Sequence, residues 1–184
     1  MLIRFEMAII NELQLKKEAL LETARLMTAA ARTAPKGRGV DNIQMFVISG
    51  EDIASLAQKL KEMGDELDNS LFLRDVQNLL QSELLFLIGT RYQSLGLKDC
   101  GLCGFNNCAE KNKHPMMPCV FNTTDIGIAI GSAVSVAMEQ RVDNRIMYTV
   151  GYAALRSGLF AEDIKLAYGI PLSISSKNPF FDRK

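Results

Sequence analysis

Four cysteines are the residues of this sequence best suited to chemistry. They are Cys100, Cys103, Cys108 and Cys119, with two, four and ten residues between successive cysteines. Three thiolates on a short loop and a fourth on the returning chain suit the corners of a cubane iron–sulfur cluster. Gly101 and Gly104 allow sharp turns between the first ligands and leave backbone amides open to the cluster sulfurs. The segment therefore predicts one [4Fe-4S] cluster.

Two other chemistries stay open at this segment. A structural zinc site usually has two short cysteine pairs, whereas this segment has one such pair and adds His114, the only histidine of the chain, as a fifth candidate ligand. We interpret His114 as a solvent-facing loop residue. A redox disulfide between Cys100 and Cys103 would leave the other two cysteines without a role. Zinc is therefore the alternative metal.

A glycine-rich basic turn is the second candidate site. In the sequence APKGRGVDNIQMFVI, Gly37 and Gly39 alternate with Lys36 and Arg38. Flexible backbone and two cations can meet a phosphate at close range. A solvated turn whose charges face water explains the same pattern, so the turn by itself does not decide between the two.

Composition excludes several classes of function. The chain has 184 residues, 21 Lys plus Arg and 21 Asp plus Glu, so its formal net charge is zero and no overall field attracts nucleic acid or an anionic membrane. The longest uncharged stretch, 126–138, is too short to span a bilayer, and the N-terminus does not resemble a secretory signal. We expect a cytoplasmic protein. No triad, carboxylate pair or metal-hydrolase motif is present, so no catalytic residue is assigned.

Hydrophobic periodicity predicts the elements that position these sites. Asn11 with Gln14 resembles a capping box, so we expect a short helix before a long one that Pro35 ends. The further predictions are helices from a Ser49 cap to 63 and at 72–80, 125–140, 152–157 and 161–168, and strands at 43–48, 84–89, 145–150 and 171–176. Gly169 is the expected end of the last helix. One layered domain over 1–184 follows, with 99–121 as an inserted cysteine-rich metal-binding loop.

The cysteine segment resembles the ferredoxin-like four-cysteine module. CGLCGFNNC followed by PC is similar to its pattern C-G-x-C-G-x-x-x-C with a distal Pro-Cys or Cys-Pro. The resemblance covers about 20 residues. It implies a [4Fe-4S] cluster on the same four cysteines.

A second resemblance is to the flavin-dependent nitroreductases. It is carried by Ala34-Pro35, by Asn42-x-Gln44 entering a strand, and by the closing segment LAYGIPLSISSKNPFFDRK. It implies an α+β fold, a mixed sheet flanked by helices, and a homodimer built on the long helix and the helix after Asp125, which contains Gly127, Gly131 and Ala133. It also implies FMN. The flavin ring would meet Asn42 and Gln44, and the phosphate would meet Lys36 and Arg38 or Lys177 and Arg183.

The two resemblances together are similar to a prokaryotic family of uncharacterised proteins containing a ferredoxin domain. We expect a redox protein with one [4Fe-4S] cluster that exchanges electrons with a partner protein, and, with FMN, an oxidoreductase acting on a small molecule. Whether the protein is an enzyme stays open. The alternative is a non-enzymatic module, either zinc-stabilised or a cluster-based sensor, that binds a protein partner.

Overall fold

The computed structural model describes residues 9–181, which build one four-stranded sheet with helices on both faces. The strands are β1 (Ile43–Ser49), β2 (Leu84–Arg91), β3 (Asp143–Asn144) and β4 (Ile164–Ser173). The helices are α1 (Glu12–Thr33), α2 (Glu51–Glu66), α3 (Ser70–Leu80), α4 (Cys108–Lys111), α5 (Val120–Glu139) and α6 (Tyr148–Arg156). Across the sheet the order is β1-β2-β4-β3. The predicted α+β class is confirmed.

β2 lies in the interior of the sheet because its side chains are apolar on both faces. Leu85 and Leu87 belong to one hydrophobic core and Phe86 and Ile88 to the other, and all four are fully buried. An interior strand covered on both faces has such a continuous apolar run. Helices α2, α3 and α6 cover the first face, and α1 and α5 cover the second.

The sheet is antiparallel in every strand pair of the described chain, whereas a mixed sheet was expected. The reason lies in the connection from β1 to β2, which contains two helices, α2 and α3. Each element reverses the direction of the chain. Two helices therefore bring β2 back antiparallel to β1, where a single crossover helix would bring it back parallel.

The N-terminal helices agree with the sequence pattern except at their caps. Asn11 caps α1 itself through a hydrogen bond from the Gln14 backbone, 3.0 Å long, so the expected separate short helix is wrong for the residues described. Pro35 follows the end of α1 as predicted. The cap of α2 is Gly50 rather than Ser49, with a positive φ of 58° that favours glycine.

The C-terminal third departs most from the sequence pattern. The second half of the predicted strand at 145–150 belongs to helix α6, and the predicted helix at 161–168 is mostly strand β4. Gly169 does not end a helix; it pairs with Leu87 inside the sheet and bridges to Met147. Short apolar runs carry little periodicity, so tertiary packing decides between helix and strand.

Helix α5 is longer than predicted because it begins at Val120, with Cys119 as its N-cap. At 20 residues it is, by length and composition, the one described helix long and apolar enough to cross a membrane. Its inner face packs against α1 and the sheet and carries the buried Asp125. This packing is that of a core helix.

Candidate metal centre

The four cysteines lie on the segment that joins β2 to α5. Cys100 and Cys103 occupy irregular backbone, Cys108 is the first residue of α4, and Cys119 caps α5. All four are free thiols. Cys119 is buried and the other three are half-buried. The segment is therefore anchored at both ends to the core, as the pattern of three close ligands and one returning ligand requires.

Two glycines shape the backbone around Cys103. The Gly104 N–H donates to the Gly101 carbonyl over 3.0 Å, which closes a tight turn with Cys103 inside it. Gly104 has a φ of 87°, a conformation that side chains rarely tolerate. A Cβ at Gly101 would lie 3.1 Å from the Phe105 carbonyl oxygen. The turn thus depends on both glycines, in agreement with the sequence argument.

Short-range contacts order the second half of the segment. Asn107 caps α4 by accepting from the Glu110 N–H at 3.0 Å, and the Glu110 carboxylate accepts from the Asn106 N–H at 2.8 Å. The exposed His114 ring stacks on Phe105, with centroids 5.2 Å apart. This aromatic contact gives His114 a structural partner within the loop.

The donor set is chemically suited to an iron–sulfur cluster. Within the described residues, no three His, Cys, Asp or Glu side chains are grouped as the ligands of one metal ion. A cubane cluster places iron and sulfide between its thiolates, so its four ligands stand farther apart than those around one zinc ion. Soft thiolates are also the ligands that iron–sulfur clusters use. Cys100, Cys103, Cys108 and Cys119 would be the four corners.

A buried lysine accompanies the cysteines. Lys111, the last residue of α4, is only 2% exposed, and its ammonium donates to the Tyr92 carbonyl over 2.6 Å. Sequence analysis did not identify it, because a lysine in a polar loop is expected to be solvated. On the same helix, the Cys108 thiol lies 4.0 Å from the Leu97 carbonyl oxygen.

A second buried polar side chain lies next to the fourth cysteine. Asn122 is 1% exposed, three residues after Cys119 in the first turn of α5. Neither its amide nitrogen nor its oxygen has a hydrogen-bond partner among the described residues. Sequence analysis did not single out Asn122 either, because nothing in its neighbours indicates burial.

The basic turn lies near the cysteine segment, and its hydrogen-bond donors are paired with acceptors within the fold. The Lys36 ammonium donates to three backbone carbonyls at the C-terminal end of α1, at 2.8 to 3.0 Å, and its side chain is 4% exposed. The Gly37 N–H donates to the Asp125 carboxylate of α5. Arg38 is exposed and donates to the Leu95 carbonyl over 2.7 Å.

The remaining residues assigned to flavin differ in their burial and in their contacts. Asn42 is 5% exposed and its amide nitrogen is unpartnered, whereas the Gln44 side chain accepts from the Ala161 N–H at 3.1 Å. Lys177 is not without a partner, and Arg183 lies outside the described residues. Lys36 and Gln44 thus have hydrogen-bond partners within the fold, and the assignment of these residues to FMN stays a prediction.

Comparison with known proteins begins with the sequence. A family model described as "Uncharacterized protein containing a ferredoxin domain" matches residues 116–183. An uncharacterized protein of Archaeoglobus fulgidus is 37% identical over 182 residues, which cover 95% of this chain and 97% of the relative.

Solved structures share the fold at low sequence identity. A nitroreductase with bound FMN from Desulfitobacterium hafniense has a TM-score of 0.57 and 13% identity, over 92% of this chain and 81% of the other. A BluB-like flavoprotein from Clostridium difficile has a TM-score of 0.54 and 20% identity, over 95% of this chain and 85% of the other. The predicted nitroreductase-like fold is confirmed.

Proposed function

This chain belongs to the family described as uncharacterized proteins containing a ferredoxin domain, and from that premise we propose that it is a redox protein holding one [4Fe-4S] cluster. The observation that carries the proposal is the set of four free thiols on one doubly anchored segment, Cys100 to Cys119. The cluster would supply one-electron transfer. The chain's residues would bind it, orient it and limit its access to water.

The exposure of the segment favours exchange of electrons with a partner protein. Leu102, between the first two cysteines, is 72% exposed, and Met116 and Met117 are also exposed. Cys119 by contrast is buried at the N-cap of α5. A centre bound here would have one side against the core and the other near the surface, where an electron donor or acceptor can approach.

Anaerobic purification tests the cluster directly. We expect a brown protein with close to four irons and four sulfides per chain, the content of one such cluster. C119S should lose most of the visible absorbance, whereas M116S, a change to serine at an exposed position of the same segment, should retain it. Unchanged iron and absorbance in C119S would contradict the assignment of the fourth ligand.

Zinc at the same four cysteines is the competing outcome. A colourless protein with one tightly bound zinc per chain would support the non-enzymatic sensor or interaction module. Because zinc can replace iron during aerobic expression, the zinc content should be measured in protein prepared without oxygen. The spacing of the four thiols along the chain, three close together and one on the returning chain, favours the cluster.

FMN is a second candidate cofactor, supported by the fold and by the buried, unpartnered amide of Asn42. The contacts of Lys36 and Gln44 within the fold argue against the FMN contacts that the resemblance to nitroreductases implies. We therefore assign no reaction step to FMN. Titration of anaerobic protein with FMN tests whether the protein binds FMN. Absence of binding at tens of micromolar, in protein with an intact cluster, would leave a cluster-only electron carrier.

A homodimer is proposed through the outer face of α5. Gly127 and Gly131 lie on this face, and a Cβ added to either would meet no atom within 4 Å, so another chain can approach closely. Ile128 and Met138 are exposed beside them. Ala133, also expected at the interface, is buried in the core against α1 instead.

The remaining proposals concern organisation and location. We propose one domain over 1–184, in which 99–121 is an inserted metal-binding loop. The free thiols of that loop suit a reducing compartment, which favours the cytoplasm. The zero net charge favours protein partners over nucleic acid or an anionic membrane.

A further inference from the structure

The ammonium of Lys111 is buried without an anionic side chain beside it. It is 2% exposed, and its hydrogen bond goes to a neutral carbonyl, that of Tyr92. Among the residues the structure describes, Lys111 forms no salt bridge. Burial raises the pKa of the Tyr92 phenol, with Tyr168 adding to the effect, so that phenol is not an anion at neutral pH.

Two carboxylates, one adjacent to Lys111 in the chain and one in the cleft that Tyr92 lines, are already engaged. Glu110, the preceding residue, accepts from the Asn106 N–H. Asp163, which lines a cleft together with Tyr92, is paired with Arg91 at 2.5 Å. Removing a charge from water costs several kcal/mol unless an opposite charge compensates it. The position of Lys111 therefore calls for another source of negative charge.

Lys111 and Cys108 lie on the same side of α4. They are three residues apart, a spacing that makes side chains neighbours on a helix. Both reach the same stretch of chain, Lys111 at the Tyr92 carbonyl and Cys108 beside the Leu97 carbonyl. Lys111 and Cys108, one corner of the candidate metal centre, are thus neighbours on one turn of helix.

We propose that Lys111 is the counter-charge of the thiolate centre and raises its reduction potential. The inference rests on the proposed function, since the four thiolates provide the negative charge. If dithionite gave one electron to a bound cluster, the centre would gain one negative charge, with no bond formed or broken. A fixed cation in a low-dielectric site stabilises this more negative state over the oxidised one.

The test measures the reduction potential of intact, cluster-loaded protein by anaerobic titration with dithionite. K111Q keeps a hydrogen-bond donor for the Tyr92 carbonyl and removes the charge, whereas K111R keeps the charge. We expect K111Q to lower the equilibrium constant for reduction about tenfold, which is 59 mV for a one-electron couple. K111R should stay close to the wild type.

Lys98 and Lys113 provide matched controls because both are exposed lysines near the same cysteines. K98Q and K113Q remove the same charge, and screening by water should leave the potential nearly unchanged. If K111Q shifts the potential no more than these controls do, the proposal is overturned. Equal shifts in K111Q and K111R would also overturn it, since they would indicate a packing effect.

Iron content separates this inference from the proposed function. Wild-type protein without iron and sulfide after anaerobic reconstitution would refute the cluster and with it this role of Lys111. If the wild type binds the cluster and K111Q takes up no iron, the iron content of K111R distinguishes the two explanations. Iron uptake by K111R supports a requirement for the positive charge. Failure of K111R to take up iron contradicts that requirement.

Discussion

At the scale of single residues, the main finding is how the cations near the cysteine segment are used. Lys36 resembles a phosphate ligand in the sequence, yet its ammonium caps the C-terminal end of α1. A cation at a helix C-terminus satisfies carbonyls that lack a partner in the helix and interacts favourably with the helix dipole. Lys111, inconspicuous in the sequence, is the cation that is buried on the same turn of helix as Cys108.

The cap formed by Lys36 predicts a loss of stability in K36M. Hydrogen bonds to a charged group contribute about 1.5 to 3 kcal/mol, so the free energy of unfolding in urea should fall by roughly that amount. K17M, at an exposed lysine near the other end of α1, should change it by less than about 0.5 kcal/mol. Loss of FMN affinity in K36M at unchanged stability would show instead that this lysine serves a phosphate.

At the scale of elements, the contact between α6 and β4 explains the C-terminal part of the fold. Gly151 of α6 lies so close to β4 that an added Cβ would be 2.0 Å from the Ala167 carbonyl oxygen. On the strand, a Cβ at Gly169 would be 2.4 Å from the Val150 side chain. At each of these contacts one element presents a glycine, and this lets the helix lie close to the sheet.

We predict that G151A is strongly destabilising, because the clash is with backbone atoms that have no rotamer to move away. Overpacking typically costs about 1 to 3 kcal/mol, and this position should lie at or above the upper end of that range. G127A on the outer face of α5 is the matched control. It meets nothing within 4 Å and should stabilise the monomer by up to about 1 kcal/mol. Chemical denaturation of both variants checks the contrast.

At the scale of the whole molecule, the two faces of the sheet serve different purposes. Helices α2, α3 and α6 cover one face with a continuous apolar core. On the other face α1 and α5 cover the sheet, and α5 begins at the fourth cysteine while the basic turn packs against its first turns. The candidate centre, the basic turn and the proposed dimer surface therefore all meet at α5.

If the outer face of α5 forms a homodimer, I128E should produce a monomer. A glutamate at this exposed position places a charge in an apolar contact, where it loses its hydration without gaining a partner. Sedimentation equilibrium should give close to 20.4 kDa for I128E and twice that mass for the wild type. I146E, at an exposed isoleucine outside α5, serves as the control. A wild-type monomer at micromolar concentration would contradict the dimer.

The sequence by itself determined the features that depend on neighbouring residues. The apolar stripes of α1, α2 and α3 repeat with a helical period, and Pro35 marks where α1 must end. The clustering of the four cysteines is likewise visible without a structure. The nitroreductase-like fold and the ferredoxin-domain family followed from resemblance, and both are confirmed.

Only the tertiary structure decided the features that depend on distant residues. Residues 164–168, predicted as helix, belong to β4 because they pair with β2, and residues 148–150, predicted as strand, belong to α6, whose Gly151 packs on β4. The environment of a charged side chain likewise depends on residues far from it in the chain. Lys36 and Lys111 both lie in polar stretches of sequence, and their roles differ because the Lys36 ammonium meets the end of α1 whereas the Lys111 ammonium is buried at the Tyr92 carbonyl. Burial and strand pairing depend on contacts between segments far apart in the chain, so the pattern of neighbouring residues does not predict them.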